Sequence, residues 1–244
     1  MPPPRKRADV VLVERGLFES RARAQAAIEA GLVIADEKRV AKPSEVISVD
    51  AVLRAQPAHP FVSRGGVKLA GALEHYPVDI EDHVCLDVGA STGGFTEVLL
   101  AHGASLVFSI DVGREQLHAS LRGHPRIVSM EATDIRALDT KRLPMRPDIV
   151  VIDVSFISLR AVLPAALSLA AAPLWLLALI KPQFEAPGKH GKGGIIRDAA
   201  VHQKVCDDIA ALAAELGCTD IRIFPSSIAG GDGNLEFFLG ARRG

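Results

Sequence analysis

The chain has 244 residues, of which 48% are hydrophobic and 23% charged, with 21 glycines, 15 prolines and a formal net charge of −1. These fractions are those of a packed globular protein, and they exclude a disordered, collagen-like or disulfide-stapled chain. Cys85, Cys206 and Cys218 form no short-spaced pair, which argues against zinc-ligand spacing and a disulfide framework and for a reducing compartment, the cytoplasm. The basic start MPPPRKRADVV has no apolar run behind it, so no secretory signal is expected.

In chain order, Val10–Val13 of ADVVLVERG predict a short helix ended by Gly16. Ser20 is placed to cap a second helix, SRARAQAAIEAG, which stops at Gly31. LVIADEKRV reads as two short strand pieces around a polar turn at Asp36–Lys38, and EVISVDAVL as a further strand. Residues 1–54 thus form a small α+β unit, too short for a large core of its own. Basic character gathers here: the first 25 residues carry 6 Lys+Arg against 3 Asp+Glu, at Arg5, Lys6, Arg7, Arg15, Arg21 and Arg23. Such a footprint can hold a polyanion even in a neutral protein. Residues 55–64, AQPAHPFVSR, contain two prolines and no period, and read as a linker.

From residue 65 to 244, helix and strand alternate. GGVKLAGALEHY predicts a helix, VCLDVG a strand, TGGFTEVLLAHG a helix, SLVFSID a strand and REQLHASL a helix. RIVSME and DIVVIDVS are strands, SLRAVLPAALSLA a helix and LWLLALIK a strand. A long helix from about Asp198 to Leu216 precedes the strands IRIFPSS and LEFFLG. Runs as apolar as IVVI and LLALI suit a sheet covered on both faces, so the pattern predicts a doubly wound α/β domain. The uncharged stretch 161–180 has the length of a membrane span. It is interrupted by Pro164 and Pro173 and rich in alanine, and reads as a buried helix running into a buried central strand; no membrane partner is expected.

Ligands of such a sheet sit beyond the carboxyl ends of the central strands. The first of these ends in Asp87 and continues as Gly89-Ala90-Ser91-Thr92-Gly93-Gly94-Phe95 into a helix, where glycines and free N–H groups let a ligand approach. A dinucleotide fingerprint, and with it a nicotinamide-dependent oxidoreductase, fits poorly: Ser91 stands at the middle glycine, and Asp87 would repel a pyrophosphate. A carboxylate there suits the cationic amino-acid end of S-adenosylmethionine. Asp111, ending the next strand, can accept ribose hydroxyls, and Asp134, after the third, an adenine amino group. Three more strand-end groups are Asp153 after IVVI, Lys181 after LLALI and Glu236 in GNLEFFLG. Lys68, on the helix before the first strand, can join them in a cluster of two lysines and two carboxylates. A purely structural ion-pair network is the competing explanation.

The strings FVSRGGVKL, DVGASTGGFT, TDIR, DVSFISL, IKPQFE, GKGGIIRD and GNLEFF, in this order, closely resemble the TlyA family of haemolysin A-like RNA 2′-O-methyltransferases. The likeness covers essentially the whole chain. SRARAQAAIEAGLVIADEKRV looks like the αL-type RNA-binding domain of ribosomal and pseudouridine-synthase proteins. One departure is Asp232, where a small or basic residue is expected. The resemblance implies a Rossmann-like class I methyltransferase domain with a seven-stranded sheet behind that small domain. It places the K-D-K-E tetrad of FtsJ-like enzymes on Lys68, Asp153, Lys181 and Glu236. The implied cofactor is S-adenosylmethionine, leaving as S-adenosylhomocysteine, with Asp87, Gly89, Ala90, Ser91, Gly93, Gly94, Phe95, Asp111, Asp134, Ile135 and Asp153 around it and no metal. The implied substrate is a cytidine ribose in ribosomal RNA, bare or in ribosomal subunits, on the large subunit alone or on both; the short N-terminal arm favours the former. Arg5, Lys6, Arg7, Arg15, Arg21 and Arg23 would contact phosphates, with Arg64 and Lys189 or Lys192 nearer the target. Lys181, expected between Asp153 and Glu236, either deprotonates the hydroxyl or orients it. A non-catalytic ribosome-assembly factor and a pore-forming haemolysin are the alternative functions.

Overall fold

In the computed structural model, which describes residues 3–186 and 194–244, the chain forms two units, residues 1–60 and 61–244. The first contains β1 (Arg5–Arg7), α1 (Ala8–Glu14), α2 (Arg21–Glu29), β2 (Val33–Ala35), β3 (Lys38–Arg39), β4 (Val46–Ser48) and β5 (Leu53–Ala55). Ser20 caps α2 by accepting the Arg23 N–H at 3.3 Å, satisfying one of the donors a helix start leaves open. The two helices bury Val11, Leu12, Ala24, Ala27 and Ile28 against Val33, Val40 and Ile47. Asp36 and Glu37 both have left-handed backbone (φ 47° and 65°), as a two-residue hairpin turn between β2 and β3 requires. The single strand expected over EVISVDAVL is two: β4 pairs antiparallel with β1, and β5 with β2. A turn closed by the Ala51 N–H on the Ser48 carbonyl separates them, so the chain changes sheet within a run whose alternation continues.

The second unit comprises α3 (Arg64–His75), β6 (Val84–Val88), α4 (Gly94–Ala101), β7 (Leu106–Ile110), β8 (Ile127–Met130), β9 (Ile149–Ile152), α5 (Leu159–Leu169) and β10 (Leu174–Ile180). The short α6 (Pro182–Glu185), the long α7 (Ala199–Glu215), β11 (Thr219–Pro225) and β12 (Phe237–Arg243) complete it. Its sheet has seven strands in the order β11-β12-β10-β9-β6-β7-β8, with β12 antiparallel to both neighbours and the remaining pairs parallel. One face is covered by α5 and α7, the other by α3 and α4, which is why IVVI and LLALI are apolar throughout. Strand β6 lies between β9 and β7, so the connections leave it in opposite directions and open a crevice at its carboxyl end.

The uncharged stretch 161–180 resolves into most of α5 and the whole of β10, both buried. Among the described residues no helix is long and apolar enough to cross a membrane. Two segments depart from expectation. REQLHASL forms no helix: Glu115 is left-handed (φ 54°), and the Glu131 carboxylate accepts the N–H groups of Glu115, Gln116 and Leu117 at 2.5, 2.8 and 3.0 Å. Leu117 and Leu121, whose spacing mimics a helix face, are buried under α4 as parts of a loop. The segment 55–64 is also not free along its length. Phe61 and Val62 pack into the α3/α4 cluster, and the Val62 N–H donates to Glu97 at 2.6 Å.

Candidate active site

A cleft of about 680 Å³ opens at the carboxyl ends of β6, β7 and β9. It is lined by Gly89 and Ser91 after β6, Asp111, Val112 and Gly113 after β7, Asp134, Ile135 and Arg136 after β8, and Asp153–Ile157 after β9. Gly89 is there because nothing larger fits: its φ is 85°, and an added Cβ would stand 2.3 Å from the Asp153 carbonyl oxygen. Asp111 accepts the Ser91 N–H at 2.8 Å through one oxygen and the Gly113 N–H at 2.6 Å through the other, which sets its carboxylate at the cleft edge. Asp134 caps a short 3-10 turn through the Arg136 N–H and holds the Arg136 guanidinium at 2.6 Å; those bonds keep its carboxyl below the ordinary range.

The other residues expected around the cofactor stand elsewhere. Asp87 has no exposed surface and does not line the cleft. It accepts the Thr96 hydroxyl at 2.6 Å, and that oxygen is 2.7 Å from Ser109. Burial, assisted by the nearby Asp153 and Asp111 and opposed by the Thr96 bonds, pushes its carboxyl up to about 7. Its other oxygen has no hydrogen-bond partner among the described residues. Gly93 and Gly94 serve packing: a Cβ would collide with Leu121 at the first and with the Ser63 hydroxyl at the second. Phe95 is buried against Phe238, ring centroids 6.2 Å apart, and Ala90 donates its N–H to Ile110. Glycine, small and aromatic residues in this loop thus join α3, α4 and the sheet.

The tetrad residues are present as two ion pairs. Lys181, the N-cap of α6, places its Nζ 2.6 Å from Asp153 and donates to the Ser155 hydroxyl at 2.8 Å. Lys68 on α3 lies 2.6 Å from Glu236. Both lysine side chains are one-tenth exposed. The backbone at Gly65 brings α3 to the same place, since a Cβ there would lie 3.8 Å from Asp153 Oδ2. Antiparallel register puts Glu236 opposite Lys181, one step beyond the Ile180–Phe237 pair, yet its carboxylate bonds to Lys68. Ser155 takes the place expected for Glu236 beside Lys181.

Two further residues, one in the cleft lining and one in the loop before Glu236, were not singled out by the sequence. Phe156 is 91% exposed with a left-handed backbone (φ 65°), and its ring lies 5.1 Å from that of Phe184. Asn234 is fully buried, accepting the Ile196 N–H at 2.9 Å and donating to Gly194 and to Asp232, so the unexpected Asp232 helps hold the loop before Glu236. Arg64 donates to the Ala229 carbonyl of that same loop at 2.6 Å.

Every basic residue expected at RNA in the first unit already has a partner. Arg5 bonds the Val46 carbonyl, Lys6 pairs with Glu14, Arg15 with the Ala51 carbonyl, Arg23 with Glu19, and Arg7 and Arg21 share Asp9. Lys189 and Lys192 lie outside the described residues. Among the described residues no group of three or more His, Cys, Asp or Glu is arranged to hold a metal ion.

Comparison with known proteins agrees with this architecture. The FtsJ-like methyltransferase family matches residues 61–243, and the S4 domain matches residues 6–53. The 16S/23S rRNA (cytidine-2′-O)-methyltransferase TlyA of Mycobacterium tuberculosis is 42% identical over 241 residues, 98% of this chain and 90% of that one. Hemolysin A of Brachyspira hyodysenteriae is 37% identical over 236 residues, 95% of this chain and 97% of that one. A Streptococcus thermophilus structure that carries a hemolysin name superposes with a TM-score of 0.78 at 39% identity, covering 98% of this chain and 89% of that chain. With the matched domains in this order and identity sustained from end to end, the chain belongs to the TlyA-type branch of the FtsJ-like methyltransferases.

Proposed function

We propose that this chain transfers the methyl group of S-adenosylmethionine to the ribose 2′-hydroxyl of cytidine in ribosomal RNA, releasing S-adenosylhomocysteine. The observation that carries the reading is Lys181, held between Asp153 and Ser155 at the rim of the β6 crevice. The cleft's volume falls in the range of cofactor sites. Asp111 keeps lone pairs for ribose hydroxyls while its two N–H bonds fix its direction, and Ile110, Val112 and Ile135 offer apolar walls for a purine. Bound there, the donor supplies a sulfonium methyl, an electrophile that requires no metal.

Activation of the hydroxyl falls to the side chains. The Lys181 amine, anchored 2.6 Å from Asp153, either takes the proton of the hydroxyl as its oxygen attacks the sulfonium methyl or orients that hydroxyl for the attack. Ser155 holds the amine in line. Lys68 and Glu236 satisfy each other in the low-dielectric interior and keep the α3 and β12 sides of the site in register. The S4 domain supplies the proposed hold on RNA, and ribosomal RNA as substrate supports a cytoplasmic activity.

Full-length protein incubated with tritiated donor and unmethylated ribosomal subunits should place label on cytidine ribose, mapped on both large- and small-subunit RNA. Donor and RNA binding without any transfer would instead mark a non-catalytic assembly factor. Phe156 supplies a second test. An aromatic ring this exposed at the cleft rim is suited to stack on a base, an interaction worth about 1–3 kcal/mol per base. Phe156→Ala should raise KM for RNA at least several-fold, measured at saturating donor; an unchanged KM would remove the stacking role.

A further inference from the structure

Asp9 sits in the first turn of α1, directly behind the basic strand β1, and its side chain has no exposed surface. One carboxylate oxygen accepts Arg7 Nε at 2.9 Å. The other accepts Arg7 Nη2 at 3.0 Å, Arg21 Nε and Nη2 at 3.2 and 2.8 Å, and Gln25 Nε2 at 2.7 Å. The Arg7 bonds above all, then those of Gln25 and Arg21, hold this carboxyl well below the usual carboxylate range in spite of its burial. Both arginine side chains remain about half exposed, at 46% and 55%. Each fork uses its Nε and one Nη2 hydrogen on Asp9, which leaves the Nη1 hydrogens of these half-exposed side chains unspent on that carboxylate.

For a polyanionic partner, charge counting alone makes Asp9 a liability, because it cancels one of the two cations. Order makes it an asset: an arginine bound to phosphate must give up side-chain rotamer freedom, and these two have given it up already. We propose that Asp9 is a positioning residue for RNA binding, fixing Arg7 and Arg21 as a pre-ordered pair of forks for the sugar–phosphate backbone. The proposal rests on the reading that the first unit binds ribosomal RNA.

The two contributions have opposite signs, so the experiment separates them. Full-length protein is titrated against a fluorescently labelled stem-loop of large-subunit ribosomal RNA over a salt series. Asp9→Asn adds one net positive charge, yet should weaken binding about tenfold. Equal or tighter binding by the folded variant would overturn the proposal. Should Asp9→Asn fail to fold, Arg7→Lys/Arg21→Lys decides: it keeps the charge at two half-exposed positions and removes the forks. About a tenfold loss is expected, with the salt slope nearly unchanged, and wild-type affinity overturns the idea. Arg7→Ala/Arg21→Ala identifies which premise fails. Loss of binding there beside unimpaired Asp9→Asn and double-lysine variants sinks only the positioning role, whereas no loss sinks the RNA face together with it.

Discussion

Lys181→Ala should lower methyl transfer by a factor of about 10²–10⁴, the usual contribution of a positioned proton-transfer group, while S-adenosylmethionine binding stays close to wild type. The lysine is one-tenth exposed at the end of an apolar strand and reaches the cleft through Asp153 and Ser155, both of which line it. Removing its amine takes away the proposed partner of the incoming hydroxyl without touching Asp111, Val112 or Ile135 in the cleft. Single-turnover transfer and calorimetric donor binding read the two effects separately. Lys181→Arg divides the remaining possibilities. A guanidinium can donate hydrogen bonds but cannot release a proton, so a lysine that only orients the hydroxyl tolerates the change in part, and one that takes the proton does not. Donor binding intact with turnover within a few-fold of wild type in Lys181→Ala would remove Lys181 from the chemistry.

Much of this site was legible because strand ends are legible. An apolar run that terminates in a charged residue, as IVVI does at Asp153 and LLALI at Lys181, marks where a buried strand meets the crevice, and the structure puts both there. Which partner each group takes was not legible. Glu236 is opposite Lys181 in register but turns to Lys68, a choice made by the packing of α3 against the sheet. The glycine-rich loop was legible only in part. Glycines that let a ligand approach and glycines that let helices approach have the same sequence; Gly89 lines the cleft, while Gly93 and Gly94 sit tight against Leu121 and Ser63. Leu117 and Leu121 carry helical spacing into a loop because Glu131, fourteen positions beyond Leu117, claims the backbone donors. Phe156 gave no sign, since nothing in DVSFISL encodes a left-handed backbone that turns an aromatic ring out to solvent.

Asp87→Asn should flatten the pH dependence of stability of the second unit. The Asp87 carboxyl is pushed up to about 7, first by burial and then by Asp153 and Asp111, from an unfolded value near 4. Between those two values the folded state binds more protons than the unfolded chain. This group's contribution to stability is therefore complete below about pH 4, falls as pH rises, and is gone above about pH 7. A carboxyl raised that far corresponds to a stability swing on the order of 4 kcal/mol. Asparagine keeps an oxygen for the Thr96 hydroxyl and does not titrate, so the variant lacks the swing whatever its absolute stability. Trp175, the single tryptophan, lies in β10 and reports unfolding of the second unit by fluorescence without interference from the first. Urea midpoints followed from about pH 5 to about pH 8 should fall for wild type relative to Asp87→Asn. Asp9, whose carboxyl is shifted the opposite way, loses stability only as pH falls and is common to both proteins, so it cancels in the difference. Two parallel curves would mean that Asp87 is ionised throughout, and that a fully buried carboxylate with one oxygen lacking a partner is held charged beneath the cleft.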